Sequence, residues 1–406
     1  MKIRSITVFC QPGYPPNRLL LEHVGVFARH ASSIFTNAGF EVQSCRLATP
    51  PFPTFLTPAL LVEAAQVLSM ETHAEGFEYL SLGPALPGQL ETYEIIPEVI
   101  AQNPAVFLSG MLTTPNQEAS LPAAMACARV VEKLAGVESN GFANLRFSAL
   151  ANVPPFAPFF PAAYGESGTP SFALAIEGAD LAVQAFSQAA TLAEARQNLI
   201  EKIESSAQKL ESAASKLSQM YGYSFRGLDF TLAPFPEQQT SITNAMETLG
   251  LPVFGMHGSL FASAFLTDTL DRAHYTRTGF NGLMLPVLED AGLAQRTAEG
   301  HVSVADLLLL SSVCGTGLDV LPLPGSTSAE KLYPVLLDLA ALALRLKKPL
   351  TARLMPIPGK QAGDPTAFDF EYFANSRILA LPSSPLSGIL KGNELVQIQP
   401  RQSATS

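Results

Sequence analysis

Apolar residues along the chain fall into two alternating textures. Short runs, alternating or continuous and cut off by Gly, Pro, Asn or Asp, predict strands. They lie at Ile3–Cys10, Phe40–Leu47, Phe77–Leu82, Ala105–Ser109, Phe142–Leu150 and Phe172–Glu177, then at Leu228–Leu232, Asn281–Val287, Leu318–Leu323, Thr351–Ile357 and Arg377–Leu381. Longer stretches predict helices, including Arg18–Asn37, Pro58–Met70, Gln117–Leu134, Ser259–Arg272, Val304–Val313 and Ser328–Leu346. Their alternation predicts the α/β class with a mostly parallel sheet, and about ten strands suit a large closed barrel or a broad sheet.

The clearest single element is a helix near residues 191–220. Thr191 and Glu194 stand at capping-box spacing, so each can satisfy a free donor at the helix start. Leu192, Leu199, Ile203, Leu210 and Leu217 form a stripe opposite Glu, Lys and Ser, and Gly222 is a stop. Such a helix packs on its own core, bridges two halves of the chain (1–185 and 222–390), or carries a homo-oligomer contact. Residues 1–390 read as one α/β barrel-type domain and 391–406 as a flexible tail.

Composition narrows the function classes. With 47% hydrophobic and only 15% charged residues, the chain can bury a large core and is not disordered. A net charge of −10 and no Lys/Arg run argue against nucleic acid and against an anionic membrane surface. No apolar run is long enough to span a bilayer; Leu332–Leu344 contains Asp338. Cys10, Cys45, Cys127 and Cys314 are scattered without CxxC spacing, which suits free thiols in the cytoplasm.

The densest candidate for chemistry is Ser312-Val313-Cys314-Gly315-Thr316-Gly317-Leu318-Asp319. Gly315 and Gly317, on either side of Thr316, permit close backbone approaches, and Cys314 in this loop is a candidate nucleophile, thiolate ligand or radical relay. The same residues also read as a helix end with Gly315 as its cap and an inert Cys314. Downstream, Thr327 and Glu330 read as a second capping box, whose free amides beside Ser326 can attract an anion. Lys360 lies on another glycine-rich turn.

Glu289 and Asp290 close the run Leu283–Leu288, placed for proton transfer, for a cation or for a helix N-terminus. His257, in Gly255-Met256-His257-Gly258, is the histidine set among glycines and the proton-transfer candidate. Arg146, Glu177, Asp229 and Arg353 each interrupt an apolar strand. A buried charge is costly unpaired, so these four either pair as a structural network or face a cavity for a small anion.

The segment V-C-G-T-G-L-D-V-L-P-L-P-G resembles the family known as domain of unknown function 711, or uncharacterised protein family 0210. Further similar segments are K-I-R-S-I-T at the start, P-F-F-P-A-A-Y at Pro158–Tyr164 and G-L-D-F-T-L-A-P at Gly227–Pro234. F-N-G-L-M-L-P-V-L-E-D and K-P-L-T-A-R-L-M-P-I-P-G-K-Q-A-G-D complete the set, and Ser326 stands where the family pattern has an aspartate. The resemblance implies a pyruvate formate-lyase-like barrel of ten strands with the Cys314 loop threaded inside. It also implies a small ACT-type regulatory protein as a partner. It does not extend to glycyl radical chemistry, because no Arg-Val-x-Gly-aromatic motif stands near the C-terminus; Arg277-Thr278-Gly279-Phe280 is a residue short and misplaced.

The expectation is therefore a cytosolic enzyme acting on a small anionic metabolite in a barrel site around Cys314. His257, Asp319, Glu289 and Asp290 would be acid/base or metal groups. Gly315, Thr316, Gly317, Arg353, Arg146, Asp229, Glu177, Ser326, Thr327 and Lys360 would surround the substrate. No cofactor or metal is specified. The rival is a non-catalytic metabolite-binding or regulatory protein on the same fold.

Overall fold

A computed structural model describes residues 1–400. Its strands are β1 (Lys2–Phe9), β2 (Cys45–Ala48), β3 (Tyr79–Ala85), β4 (Val106–Met111), β5 (Glu118–Ser120) and β6 (Phe147–Ala151). The remainder are β7 (Ser171–Glu177), β8 (Ser224–Asp229), β9 (Gly317–Pro324), β10 (Leu350–Ile357) and β11 (Leu395–Gln397). The helices of the first half are α1 (Arg18–Asn37), α2 (Pro58–Ala74), α3 (Glu91–Glu94), α4 (Ile96–Gln102), α5 (Leu121–Ala135) and α6 (Ala179–Ser187). Then come α7 (Leu192–Tyr221), α8 (Ile242–Thr248), α9 (Ser259–Arg272), α10 (Ala291–Glu299), α11 (Val304–Leu310) and α12 (Ala329–Leu346).

Nine strands form one sheet in the order β8-β7-β1-β2-β3-β4-β6-β10-β9. β1, β2, β3, β4 and β6 run parallel. The direction reverses between β1 and β7 and between β6 and β10, while the outer pairs β7–β8 and β9–β10 are each parallel. Strands from both sides of α7 thus share one sheet.

Two expected strands are absent. Within 281–287, Asn281 lies at φ +46° and Pro286 has no N–H, so a regular ladder cannot form. The longer segment Thr276–Val287 instead touches both sheet edges, near its start and at its end. Leu228 N–H donates to Thr276 O at 2.8 Å, and Val287 N–H donates to Asp319 O at 3.1 Å. Within 377–381, Leu379 N–H reaches Pro322 O at 2.9 Å, but Pro322 and Pro324 offer no donors in return. Conversely, β11 pairs with β5 inside the stretch expected to be a tail, of which 401–406 lies outside the described residues.

α7 begins and ends where expected. Thr191 accepts the Glu194 N–H at 3.2 Å, Glu194 Oε2 reaches back to the Ala190 N–H at 2.8 Å, and Gly222 caps at φ +70°. Leu199, Ile203, Leu210 and Leu217 are buried and the helix packs on α1, α6, α9 and β8; Leu192, at the frayed start of the stripe, is 44% exposed. At α12 the expectation fails. Ser328 is the N-cap, and the Thr327 hydroxyl donates to Pro324 O at 2.6 Å, closing a turn instead of capping the helix.

Side-chain alternation divides the interior in two. Ile3, Ile6 and Val8 of β1 join the main core beneath the helices. Ser5 and Thr7 face the other way and donate to Pro158 O at 3.4 and 2.8 Å. Ser81 likewise donates to Ala163 O at 2.7 Å, so the segment 153–165, which carries P-F-F-P-A-A-Y, lies across this inner face. Phe156 and Phe160 pack there against Phe9 and Phe107. Of the Cys314 loop expected there, Thr316 reaches this face, whereas Cys314 itself is fully buried in the main core.

Candidate functional site

The inner face leaves a cavity of about 270 Å³ between segment 153–165, the 280–289 stretch and the inward residues of β2, β3, β4, β6, β9 and β10. Along it runs a chain of alternating charges. Asp319 Oδ1 accepts from Arg353 Nε at 2.6 Å, and Arg353 Nη2 donates to Glu289 Oε1 at 2.9 Å. Glu289 Oε2 meets Arg4 Nη2 at 3.5 Å, and Arg4 Nη1 donates to Glu177 Oε2 at 3.0 Å. Gln43 completes the row by donating to Glu177 at 2.8 Å.

Two β-bulges aim this row. Between β1 and β7 the register skips Arg4, and between β9 and β10 the pair Asp319–Val320 stands opposite Arg353 alone. A bulge turns one side chain out of the regular alternation, which is how Arg4 and Asp319 come to line the cavity. At the second bulge Val320 adopts φ +45°, a costly conformation for a β-branched residue. Strain of this kind persists where the surrounding packing over-determines it.

Three carboxylates (Glu177, Glu289, Asp319) share two guanidiniums (Arg4, Arg353), leaving one formal negative charge in excess. Burial, with Glu289 adding to it, holds the Asp319 pKa above the ordinary carboxylate value against the opposing pull of Arg353. Arg353 is pushed upward by the same two carboxylates despite its burial. Asp319 Oδ2 has no hydrogen-bond partner among the described residues.

Arg46 is the third cavity arginine. Its Nε donates to Ser44 Oγ at 2.9 Å, and its guanidinium carbon lies 5.5 Å from the Tyr79 ring and 5.3 Å from the Phe160 ring. No carboxylate among the described residues comes within 4.0 Å of it. Burial, reinforced by repulsion from Arg4, lowers its pKa to about 10.

The structure gathers Asp319, Glu289, Arg353 and Thr316 at the cavity, with Glu177 at the end of its ionic row. Gly315 and Gly317 serve backbone approach to Gly282 and Thr351. The remaining candidates lie apart. Cys314 is in the main core, where its carbonyl accepts from Lys348. His257 is exposed on the turn before α9, and Ser326 is exposed. Lys360 donates to Pro365 O at 3.0 Å. Arg146 is buried beside β4 rather than in the cavity, bonding Ile100 O, Asn103 O and Glu138 at 2.6, 2.9 and 2.6 Å.

Asp290 accepts from Ser241 Oγ at 2.6 Å, Ile242 N–H at 2.7 Å and Leu293 N–H at 2.9 Å, joining the starts of α8 and α10. Adjacent in sequence, Glu289 and Asp290 thus do different work. Asp229 ties down the 278–281 turn, accepting from the Phe280 and Asn281 N–H groups at 2.8 Å each and from Thr231. Burial nevertheless raises its pKa to about 6. The folded protein therefore binds this proton more tightly than the unfolded chain. Stability is expected to fall as pH rises from about 4 to about 6 at this site. Urea midpoints of wild type and Asp229→Asn across that window check this; an equal slope in the variant rules it out.

Arg4 and Arg46 escaped the sequence reading, although a charge inside an apolar strand, the signal that marked Arg353, is present in K-I-R-S-I-T and C-R-L-A. Among the described residues no group of three or more His, Cys, Asp or Glu is arranged around a metal position, and no helix is long and apolar enough to cross a membrane.

Fold and site together define an α/β protein whose sheet carries an aromatic-walled, charge-lined cavity on its inner face. The chain belongs to the family described as Uncharacterised ACR (DUF711), whose profile matches residues 1–375. A UPF0210 protein of Pyrobaculum arsenaticum is 30% identical over 82% of this chain and 78% of its own length. One from Syntrophobacter fumaroxidans is 27% identical over 90% and 86%. One from Pyrobaculum aerophilum is 36% identical over 55% of this chain and about half (51%) of its own length.

Proposed function

We propose that the protein is an enzyme acting on a small anionic metabolite held in the inner-face cavity, with Asp319 as the proton-transferring group. The observation that carries this reading is the excess carboxylate at the strained β9 bulge. Asp319 is buried, held at one oxygen by Arg353, and raised in pKa chiefly by that burial, which favours a carboxyl group that can hold and release a proton. Thr316, Thr351 and Ser148 add hydroxyls on the same wall. The reading centres on Asp319 rather than Cys314, whose side chain is in the main core.

We further infer a ten-membered barrel of the pyruvate formate-lyase-like kind, in which the stretch Thr276–Val287 stands as the tenth member. Its bonds to both β8 and β9, and the two oppositely directed sets of parallel strands, support that architecture. The chemistry proceeds without a glycyl radical, since the sequence lacks that motif. The free, buried cysteines support a cytoplasmic setting.

The test is incubation of wild type and Asp319→Asn with a pool of small carboxylates and phosphate esters, read by mass spectrometry, with thermal melts confirming that both are folded. Wild type is expected to deplete one anion, and the variant to do so at least about a hundredfold more slowly. Equal rates sink the role of Asp319. Binding seen as a thermal shift without depletion favours the non-catalytic rival.

A further inference from the structure

Arg46 differs from its two neighbours in the cavity in one respect that matters for a ligand. Arg4 and Arg353 each hold two carboxylates of the protein, whereas Arg46 holds none among the described residues. A guanidinium surrounded by protein with no carboxylate in contact is costly, and Glu78 and Glu289 attract this one only from beyond ion-pair distance. Its placement is nevertheless over-determined. Ser44 Oγ, itself donating to Arg4 O at 2.9 Å, accepts from Nε at 2.9 Å. The Tyr79 and Phe160 rings, 5.5 and 5.3 Å away, add cation–π contacts. What remains without a protein acceptor is the edge carrying both Nη groups, the fork that matches a planar two-oxygen acceptor.

We propose that Arg46 is the anchor for the carboxylate of a small substrate with an apolar, ring-sized body. This rests on the cavity being the reactive site proposed above. Charge favours a carboxylate over a phosphate. One free cation balances one negative charge, and a second would be left facing Glu78, Glu289 and Asp319, which line the same cavity. The walls define the body: Phe107, Phe159, Phe280, Phe370, Tyr372 and Phe373 give it apolar and aromatic surface. Size sets the limit. A cavity of roughly 150 Å³ holds a benzene ring. The volume here, about 270 Å³, therefore admits a ring and a short arm ending in the carboxylate. Asp319, also on the cavity wall, would then act on the body or arm of a molecule held at its acid end.

Isothermal calorimetry on the full chain tests this with benzoate, phenylacetate, 3-phenylpropanoate, the neutral amide 3-phenylpropanamide and inorganic phosphate. At least one carboxylate is expected to bind wild type, with the amide and phosphate weaker by about tenfold or more. Arg46→Gln is expected to weaken that carboxylate by about tenfold to a hundredfold, and Arg46→Lys to weaken it measurably while keeping the charge. Should the glutamine variant not fold, the lysine variant carries the comparison, because only the fork geometry is then changed. The anchor is overturned if no carboxylate binds, if phosphate binds tighter than every carboxylate, or if the folded Arg46 variants bind as wild type does. Calorimetry does not depend on turnover. Binding through Arg46 with no conversion of any anion therefore sinks the enzymatic reading alone, and undiminished binding in the variants sinks the anchor alone.

Discussion

Replacing Arg353 with methionine is expected to lower the unfolding free energy by about 3–5 kcal/mol, read as a lower urea midpoint. Arg353 lies between Asp319 at 2.6 Å and Glu289 at 2.9 Å, and all three side chains are 13% exposed or less. Removing the guanidinium leaves two neighbouring buried carboxylates with only Arg4, 3.5 Å from Glu289, to compensate them. The variant should also acquire a distinctive pH dependence. Without Arg353, the upward pull of burial on Asp319 is unopposed by its main cation, so Asp319 holds its proton more tightly in the folded state than in the unfolded chain. The remaining stability should therefore be greatest at acid pH and be lost as pH rises through the carboxylate range. Adding Asp319→Asn removes one of the two charges and should recover part of the loss. A single-variant loss below about 1 kcal/mol, the range of a surface pair, would show that the row is not the buried network described here.

Gly315→Ala is expected to destabilise by about 3 kcal/mol or more, or to prevent folding, because two backbones touch at this point. A Cβ on Gly315 would lie 2.8 Å from Gly282 N and 2.9 Å from Gly282 C, and one on Gly282 would lie 2.7 Å from Gly315 N. Neither side can yield as a flexible side chain could. Gly315 N–H donates to Leu283 O at 3.0 Å and Thr316 Oγ1 approaches the same oxygen at 3.4 Å, so the contact fixes the 280–289 stretch against the start of β9. That stretch brings Met284 and Glu289 to the cavity, so any folded fraction should also lose carboxylate binding. Thermal melts and calorimetry check both outcomes; an alanine variant melting within a few degrees of wild type would contradict the contact. The glycines of C-G-T-G are thus explained by packing, without a reactive cysteine beside them.

Much of the fold was legible in the sequence. The period of the apolar residues placed α1 and α9 at their observed bounds and located β1, β3, β4, β7, β9 and β10 to within a few residues. Thr191 and Gly222 marked the ends of α7, because caps act through donors and backbone angles within a few residues. The errors came where distant neighbours decide. Proline and a left-handed Asn281 kept 281–287 from becoming a regular strand, and β5 and β11 are too short to show a period of their own.

The candidate site divides along the same line. A charge within an apolar strand is visible in sequence, and it marked Arg353, Glu177, Asp229 and Arg146 alike; the terminal carboxylates Glu289 and Asp290 were marked together. What it cannot tell is which way each charge faces. Arg146 satisfies backbone carbonyls, Asp290 joins two helix starts and Asp229 holds a turn, while Arg353 and Glu289 belong to the row along the cavity. Two bulges bring Arg4 and Asp319 to that row, and a bulge is a mismatch between partner strands far apart in the chain. The glycine-flanked Cys314 drew attention for its local backbone, but its surroundings belong to the main core.

The sequence by itself determined the α/β class, the family and the positions of most elements, since these follow from local periodicity, capping and turn chemistry. Only the tertiary structure decided that segment 153–165 covers the inner face, that Asp319 rather than Cys314 lines the cavity, and that Arg46 is the cavity arginine without a carboxylate partner. Those outcomes depend on long-range register and on how carboxylates and guanidiniums are shared, which no single stretch of chain encodes.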